Sequence, residues 1–456
     1  MYASAHGYDA YVEVLGNKYP LTDFPSRALT YGPSVPELGG DGDETCVILP
    51  EPTRDDEDHL AWLQSTAKMG PAHVRFVKGR SLVDGMRTDP SIVRMLREAS
   101  RIEFFRPEEH LEGKLLCEAG ITWDDKVNSS YPTLAALLNR KIDQRRLLAG
   151  LGGDKHWGTR FFLPYRVCPA DYDAVLGAVA QLKESKETPG NPMTQWAFKG
   201  DDAASGAKQL YVDDMGDSHQ LERLREFLLG IAKNGASRII VEQAFMDTST
   251  HVPASVCYLL DVKQGVKLLH VSRQGCGFKD MRVVWDSNTI AYPNDEFLDL
   301  EKIEIAHLRE WTAPAASALY AIGARGYIVF DVLINKTSGF QHLLEINARP
   351  TFSLFGLRSL QQVLTNPQWA GAEEGAVTIK EFYPKQGSPL RSFHDVKNQL
   401  GDMMFDGVNP GVIPHLVGGL KHAGTPMMNL VAVDKDSVKS KALADRATAR
   451  LHEATE

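Results

Sequence analysis

Four polar side chains interrupt two apolar segments between residues 326 and 350, and their types suit phosphate or metal chemistry. The segment GYIVFDVLI contains Asp331, and the segment LLEINARP carries Glu345, Asn347 and Arg349 at alternate positions. Because side chains alternate across a strand, the last three are predicted to share one face. Burying an unpaired carboxylate is costly, so Asp331 needs a partner. If the two segments pair as a hairpin, Asp331 reaches the same site as Glu345.

These residue types allow two interpretations. In the first, Arg349 simply neutralises Glu345 in a structural salt bridge. In the second, Asp331, Glu345 and the amide oxygen of Asn347 hold Mg²⁺ around a nucleotide triphosphate, because Mg²⁺ takes one or two carboxylates and completes its shell with water and phosphate oxygens. Arg349 would then face a phosphate or carboxylate, which its planar guanidinium binds through two hydrogen bonds.

Weaker signals for phosphate binding lie upstream. Lys199 ends the predicted strand QWAFK before the loop GDDAASGAK, where Ser205 and Gly206 can bring backbone N–H groups close to a phosphate, although a plain turn fits equally. Lys141, in LNRKIDQRRLL, taken alone is a solvated helix lysine, and Glu242 ends the predicted strand RIIVEQ. Neither a Walker A pattern nor a G-x-G-x-x-G pattern is present.

The elements that must position these residues follow from periodicity. Near the N-terminus, the segments TCVILPEP, AHVRFVKG and RIEFF are predicted strands, and they alternate with the predicted helices RDDEDHLAWLQSTAK and DPSIVRMLREAS. This alternation is typical of an α/β domain with a parallel sheet. A helix from Lys141 closed by glycines, a helix PADYDAVLGAVAQLKES and several strands follow, and SALYAIGARG is read as a helix end.

Composition limits the classes of function. The chain has 456 residues, which predicts roughly three domains, and its net charge of -9 argues against nucleic acid or an anionic membrane as the main partner. The five cysteines are scattered and form no C-x-x-C pair, so we expect no disulfide framework or zinc cluster and a reducing, cytoplasmic location. We also expect no signal peptide, no membrane span and no G-x-S-x-G nucleophile.

The order of these features resembles the ATP-grasp superfamily, over roughly residues 132 to 356. A lysine opens a helix, a second lysine ends a strand before a small-residue loop, an apolar strand runs into Glu-x-x-Phe, and a G-Y-x-x-x-D strand precedes L-E-I-N-A-R-P. The resemblance implies that Lys141 and Lys199 bind the phosphates of ATP, and that the loop containing Ser205 and Gly206 closes over them.

The remaining roles are also implied by the resemblance. Adenine would be bound at the hinge formed by Glu242, Gln243, Ala244 and Phe245. Two Mg²⁺ ions, replaceable by Mn²⁺, would be held by Asp331, Glu345 and Asn347. Arg349 would stabilise the transferred phosphoryl group and the acyl intermediate.

The sequence departs from the family pattern in two places. The closing loop has only Gly206 in its interior, which predicts a stiffer loop than family members often have. No acidic residue for the ribose is evident after the hinge, where Asp247, Ser249 and His251 all remain candidates.

The resemblance implies an α/β chain with an ATP-grasp core at 132–375, whose nucleotide subdomain covers about 185–275. A Rossmann-like pre-ATP-grasp domain at 1–131 precedes the core, and a small α+β domain at 376–456 follows it. The segment HVPASVCYLLDVKQGVKLLHVSRQ, the tail segment GVIPHLVGGLKHAGTPM and this three-part layout are similar to the ATP-grasp peptide ligases of the pheganomycin type.

The implied reaction is ADP-forming ligation of a carboxylate to an amine through an acyl phosphate, on amino acid or peptide substrates. Arg273, in HVSRQGCGF, would help Arg349 hold the carboxylate or phosphoryl group, although it could equally be a surface arginine. Two alternatives stay open: an ATP-grasp enzyme that makes an ester, a thioester or a phosphorylated product, and a non-catalytic ATP-binding regulatory module. Small-molecule partners are expected, and the oligomeric state is left open.

Overall fold

The structure is a computed structural model of the chain. It describes residues 2–3, 46–50, 54–67, 73–77, 88–98, 103–104, 116–122, 127, 129–152, 162–185, 195–201, 209–233, 237–244, 250–279, 281–292, 302–336, 341–349, 351–369, 374–385, 387–415, 417, 420 and 426–454.

The described helices, in chain order, are α1 (Arg54–Ser65), α2 (Pro90–Glu98), α3 (Pro132–Asn139), α4 (Lys141–Gly152), α5 (Tyr172–Glu184), α6 (Ser218–Lys233), α7 (Lys302–Ala321), α8 (Phe352–Thr365), α9 (Phe393–Leu400) and α10 (Ser437–Glu453). The described strands are β1 (Tyr2–Ala3), β2 (Cys46–Pro50), β3 (His73–Val77), β4 (Glu103–Phe104), β5 (Tyr165–Pro169), β6 (Trp196–Gly200), β7 (Gln209–Val212), β8 (Arg238–Gln243), β9 (His251–Asp261), β10 (Gly265–Lys279), β11 (Arg282–Tyr292), β12 (Gly326–Asn335), β13 (Gln341–Asn347), β14 (Gly375–Phe382), β15 (Gly411–His415) and β16 (Met428–Asp434).

The N-terminal region is an α/β unit, as its alternating pattern predicts. Its strands form a parallel sheet in the order β3-β2-β1-β4. Helix α1 leaves this unit and packs against the C-terminal strands: Trp62 and Leu63 are buried in the same core as β15 and β16, and the Nε2 atom of His59 lies 3.1 Å from the carbonyl oxygen of Pro414. The parallel pairing of β1 with β2 and β4, and of β2 with β3, confirms the predicted parallel sheet.

A small antiparallel sheet, in the order β5-β8-β6-β7, carries two of the predicted site residues. Helices α5 and α6 cover it and bury Trp196, Phe198 and Leu224 in its core. Helix α5 begins where the sequence predicts it, because the side chain of Asp171 accepts a hydrogen bond of 3.1 Å from the backbone N–H of Ala174. The sheet therefore gives β6 and β8 a rigid support.

The large sheet has the order β13-β12-β9-β10-β11-β14-β16-β15, and the pairings recorded between its strands are antiparallel. One face packs against α8 along β11 and β14. The other face packs against α7 along β9, β10 and β12 and against α10 along β14 and β16. Strand β14 pairs with β11 on one side and with β16 on the other, so the sheet continues across the predicted boundary at 375/376. The division into three domains remains a prediction.

Several elements are absent from the sequence-based interpretation, among them α3, β11, α8, β14, α9 and most of α7. Strand β11 was hidden because its central residues Ser287 and Asn288 are polar yet buried, which removes the apolar alternation that marks a strand. Helix α7 contains Pro314, which is typical of a helix end rather than a helix interior. Within the ranges given above, no helix combines the length and apolar character that a membrane span requires.

Candidate active site

The hairpin of β12 and β13 places Asp331 opposite Glu345, which confirms the predicted pairing. Asn347 donates a hydrogen bond of 2.7 Å from Nδ2 to Oδ2 of Asp331. Ser255 on β9 donates one of 2.5 Å to the other oxygen, Oδ1, which also accepts one of 2.9 Å from Nε2 of Gln274 on β10. The single polar residue of the apolar strand thus has the partners that its burial requires.

The pKa of Asp331 is raised, although several neighbouring groups oppose the rise. Burial raises its pKa, while the hydrogen bonds from Ser255 and Gln274 and the positive charges of Lys141 and Arg349 act in the opposite direction. A carboxylate in such surroundings gains from the arrival of a further positive charge, which is the property expected of a metal ligand.

Lys141 is the first residue of α4 and forms an ion pair with Glu345. It is only 2% exposed, so it is not a solvated helix lysine. Burial together with the nearby charges of Lys199 and Arg145 lowers the pKa of Lys141 to about 7, against the opposing effect of Asp331 and Glu242. A desolvated lysine beside two other cations favours binding of an anion.

Arg349 follows the hairpin and points to α3. Its Nη1 donates a hydrogen bond of 2.8 Å to Oδ1 of Asn139, the last residue of α3, and the same oxygen accepts one of 3.2 Å from the backbone N–H of Ala348. Because the recorded ion-pair partner of Glu345 is Lys141, the geometry does not support the alternative in which Arg349 exists to neutralise Glu345.

A second buried ion cluster joins the small sheet to α4. The carboxylate of Glu242 on β8 contacts Lys199 on β6 through Oε1 and the Nη2 atom of Arg145 on α4 at 2.5 Å through Oε2. The side chains of all three are at most 5% exposed. The pKa of Glu242 is lowered because Arg145 and Lys199 outweigh the effect of burial, and burial is the main cause of the lowered pKa of Lys199. Glu242 is therefore the counter-ion of Lys199.

Arg145 is a site residue that the sequence reasoning missed. Its guanidinium carbon lies 4.5 Å from the ring centre of Phe162 and 4.6 Å from that of Tyr165. Its Nη2 also lies 3.5 Å from the carbonyl oxygen of Leu344 on β13. Its sequence signal was weak, because it is one of two consecutive arginines on a helix and only the fold shows which one turns inward.

Asp201 and Gln144 also escaped the sequence reasoning. The side chain of Asp201, just after β6, accepts a hydrogen bond of 2.7 Å from the backbone N–H of Ile142, and its carbonyl accepts one of 3.0 Å from the N–H of Lys141. This cap fixes the start of α4 next to Lys199. Gln144 accepts a hydrogen bond of 2.5 Å from the N–H of Ile346 and so binds the edge strand β13.

The predicted hinge is partly described. The backbone N–H groups of Gln243 and Ala244 donate to the carbonyls of Pro164 and Gln195, at 3.3 and 2.9 Å, so these two residues could contact adenine only through other groups. The predicted roles of Phe245 and of the loop residues Ser205 and Gly206 concern positions outside the described residues.

Of the three ribose candidates, Asp247 and Ser249 also lie outside the described residues. His251 is buried, and its Nδ1 and Nε2 atoms lie 2.9 Å from Oγ1 of Thr250 and 3.2 Å from Nδ2 of Asn335. The choice among the three stays open.

The position of Arg273 corrects the sequence-based interpretation. Arg273 pairs in register with Ala254 and Thr289, whereas its neighbour Gln274 reaches Asp331. Since consecutive side chains of a strand point to opposite faces, Arg273 lies on the face away from Asp331. Gln274, rather than Arg273, is the residue of β10 that contacts the site.

The donor set fits Mg²⁺ better than a metal held entirely by protein. Among the residues that the structure describes, no group of three or more histidine, cysteine or acidic side chains is placed to hold a metal. Two carboxylates and one amide, adjacent in the hairpin, suit an ion that completes its shell with phosphate oxygens and water.

Comparison with solved structures shows that the chain has the fold of several known enzymes, in agreement with the predicted ATP-grasp fold. Phosphoribosylamine–glycine ligase from Thermotoga maritima is 13% identical, with a TM-score of 0.54 over 94% of this chain and 95% of that one. Carboxyaminoimidazole ribonucleotide synthase from Aspergillus clavatus, complexed with ATP, is 12% identical, with a TM-score of 0.54 over 94% and 96%. Biotin carboxylase from Campylobacter jejuni is 13% identical, with a TM-score of 0.51 over 99% and 94%. No family model and no curated protein sequence matches the chain.

Proposed function

We propose that this protein is an ATP-dependent, ADP-forming ligase that joins a carboxylate to an amine through an acyl phosphate. The observation that carries the proposal is the ion pair of the buried Lys141 with Glu345 of the hairpin, where Glu345 lies opposite Asp331. The buried Lys199–Glu242 pair lies near enough to influence the charge of Lys141. A protein that merely binds a nucleotide needs fewer charged groups than these. The similar ATP-grasp structures named above, two of them synthases or ligases by name, support the same reaction class.

In the first step, an oxygen of the substrate carboxylate attacks the γ-phosphorus of ATP, the bond to the β-phosphate oxygen breaks, and ADP leaves. Lys141 and Lys199 exchange their carboxylate partners for phosphate oxygens and hold the triphosphate in line. Arg349, held by Asn139, faces the carboxylate and the transferred phosphoryl group. Mg²⁺ held by Asp331, Glu345 and Asn347 would neutralise charge on the phosphates.

In the second step, the amine attacks the acyl carbon, inorganic phosphate leaves with the bonding electron pair, and the amine loses a proton to give an amide. The acyl phosphate must be shielded from water, and closure of the loop containing Ser205 and Gly206 would provide that shield. Gln274 and Ser255 keep Asp331 oriented throughout.

We further propose amino acids or short peptides as substrates and the reducing cytoplasm as the location. The substrate class is supported by the resemblance of residues 251–274 and of the tail to peptide ligases of the pheganomycin type. The location is supported by the scattered cysteines, of which Cys117, Cys168, Cys257 and Cys276 are free thiols.

The test combines product analysis with a variant. Incubation with ATP, Mg²⁺ and pooled amino acids and peptides should give, by mass spectrometry, products one water lighter than the sum of two substrates, together with ADP. The Glu345→Ala variant should abolish ADP release and keep the fold, measured by circular dichroism. Glu226→Ala, at an exposed position of α6, is the matched control and should keep full activity. Full turnover by Glu345→Ala would contradict the metal assignment.

A further inference from the structure

Asn139 is the residue at which α3 ends, and its side-chain amide bonds to groups on two elements. Its Nδ2 donates a hydrogen bond of 2.7 Å to the carbonyl oxygen of Ala135, one turn earlier in α3. Its Oδ1 accepts one of 2.8 Å from Nη1 of Arg349 and one of 3.2 Å from the backbone N–H of Ala348. A backbone N–H only donates and a carbonyl oxygen only accepts, so a single orientation of the amide satisfies all of these partners.

The end of α3 is a fixed point of the fold. Leu138 is 0% exposed and packs in the core between the large sheet and α7. Before the helix, the hydroxyl group of Ser130 donates a hydrogen bond of 3.0 Å to the carbonyl of Arg325, the residue before β12, and accepts one of 3.0 Å from its N–H. The helix is therefore attached near both ends, and Asn139 presents its amide from a rigid support.

The chain that carries Arg349 leaves the large sheet at its edge. Strand β13 is the outermost strand there, and Arg349 lies two residues beyond its end. The outward N–H groups of an edge strand have no neighbouring strand to accept them. Gln144 accepts a hydrogen bond of 2.5 Å from the N–H of Ile346. Two residues further on, Asn139 accepts the one from Ala348. Asn139 therefore fixes the backbone next to Arg349 as well as the guanidinium group.

The amide of Asn139 bonds to Arg349 without adding a negative charge. The buried cations described above, the two lysines and Arg145, each pair with a carboxylate. Asn139 instead offers a neutral oxygen, which orients a guanidinium group and does not cancel its charge. That charge reaches the metal-ligand hairpin, since Arg349 is among the groups that oppose the rise in the pKa of Asp331. Asn139 thus orients a cation close to the proposed phosphate site.

Resting on the proposed ligase activity, we propose that Asn139 is the positioning residue of Arg349, holding its guanidinium group toward the transferred phosphoryl group through a neutral amide. Arg349 acts on charge that develops during phosphoryl transfer. A displaced guanidinium group therefore slows the chemical step more than it weakens the binding of ATP. A misplacement of about 1 Å can cost about a hundredfold in rate.

The first test replaces the amide of Asn139 by a methyl group. The full-length protein is supplied with Mg²⁺, ATP radiolabelled at the γ-phosphate and the pool of amino acids and peptides, and released phosphate is measured over a range of ATP concentrations. Asn139→Ala should lower kcat by about ten- to a hundredfold and change the KM for ATP by less than about threefold. An unchanged kcat, or a loss confined to KM, overturns the proposal.

Asn139→Asp has nearly the same shape and decides the question if circular dichroism shows that Asn139→Ala does not fold. Its carboxylate places a negative charge on the guanidinium group of Arg349, so kcat should again fall by about tenfold or more with little change in KM. A kcat equal to that of the wild type in Asn139→Asp overturns the proposed role of the neutral amide.

A double-mutant cycle identifies the residue through which Asn139 acts. The double variant Asn139→Ala/Arg349→Ala should be no slower than Arg349→Ala alone, because the amide then has no guanidinium group to orient. Losses that multiply in the double variant would show that Asn139 acts independently of Arg349, and would overturn the proposal.

Asn366→Ala is the matched control. The amide of Asn366, which follows α8, donates to the carbonyl of Gly407 and accepts from the N–H of Gln368. It therefore bridges backbone groups as Asn139 does, but at the end of α8 that is far from Arg349. The control should keep the kcat of the wild type, and an equal fall in kcat would overturn the proposal. Absence of phosphate and ADP release by the wild-type protein with every substrate of the pool would instead reject the ligase activity on which it rests.

Discussion

Replacement of Arg145 by methionine tests whether the buried cluster around Glu242 holds α4 against the small sheet. Removing one member of a buried ion pair costs about 3–5 kcal/mol, because the other charge stays buried. Lys199 remains on the other oxygen of Glu242, which favours the lower end of that range. Loss of the contacts with Phe162 and Tyr165 adds about 1 kcal/mol or more. We therefore expect Arg145→Met to lower the free energy of unfolding by about 3–5 kcal/mol.

The assay is urea unfolding followed by tryptophan fluorescence, and the chain supplies its own control. Arg146 is the next residue of α4 and is exposed. Arg146→Met removes the same charge from the same helix and should change the free energy of unfolding by no more than about 0.5 kcal/mol.

A double-mutant cycle with Glu242→Gln separates the ion pair from the packing. If Arg145 and Glu242 interact directly, the loss in the free energy of unfolding of the double variant should be smaller than the sum of the two single losses by at least about 1 kcal/mol. Additive effects, or a loss below about 1 kcal/mol for Arg145→Met alone, would refute the reasoning.

Three further perturbations test other parts of the structure. Asp201→Ala should cost about 1 kcal/mol through loss of the α4 cap and should weaken ATP binding measured by calorimetry; unchanged stability would contradict the cap. Gly356→Ala places a Cβ against Cδ1 of Ile379 and should lower the free energy of unfolding by about 1–3 kcal/mol. The double variant with Ile379→Val should recover part of this loss, and an equally unstable double variant would contradict the contact. Burial lowers the pKa of His59 to about 4, so as the pH falls the unfolded chain binds a proton before the folded chain does. The free energy of unfolding should therefore fall by up to about 3 kcal/mol between pH 6.5 and pH 4. In urea titrations at several pH values, His59→Gln should reduce this pH dependence, and an unaltered pH dependence would count against a buried neutral imidazole.

Regular periodicity made much of the fold predictable. Strands β2 to β4, helices α1 and α2, helices α4 to α6 and strands β6 to β10 lie where apolar patterns and helix-end signals indicated. Strand β11 did not, because the buried polar side chains of Ser287 and Asn288 are satisfied only by neighbouring strands that are distant in sequence. A single-segment pattern carries no information about such partners.

Some features of the candidate site could also be predicted from the sequence, and others could not. The alternation of Glu345 and Asn347 and the pairing with Asp331 followed from strand geometry alone. The partners of Lys141 and Lys199 did not, since residue type alone does not reveal which carboxylate a buried lysine meets. Arg273 was misplaced because a one-residue difference along β10 decides the face, and the register that fixes it lies in the pairing with β9 and β11.

The insertion of β14 between β11 and β16 has a consequence for the newly made chain. During synthesis, the residues of β9 to β13 leave the ribosome while one edge of their sheet still awaits strands encoded near the C-terminus. That edge, β11, stays open to other chains until residues 375–434 emerge. Premature termination before β14 should therefore yield an aggregating fragment rather than a shortened nucleotide-binding protein.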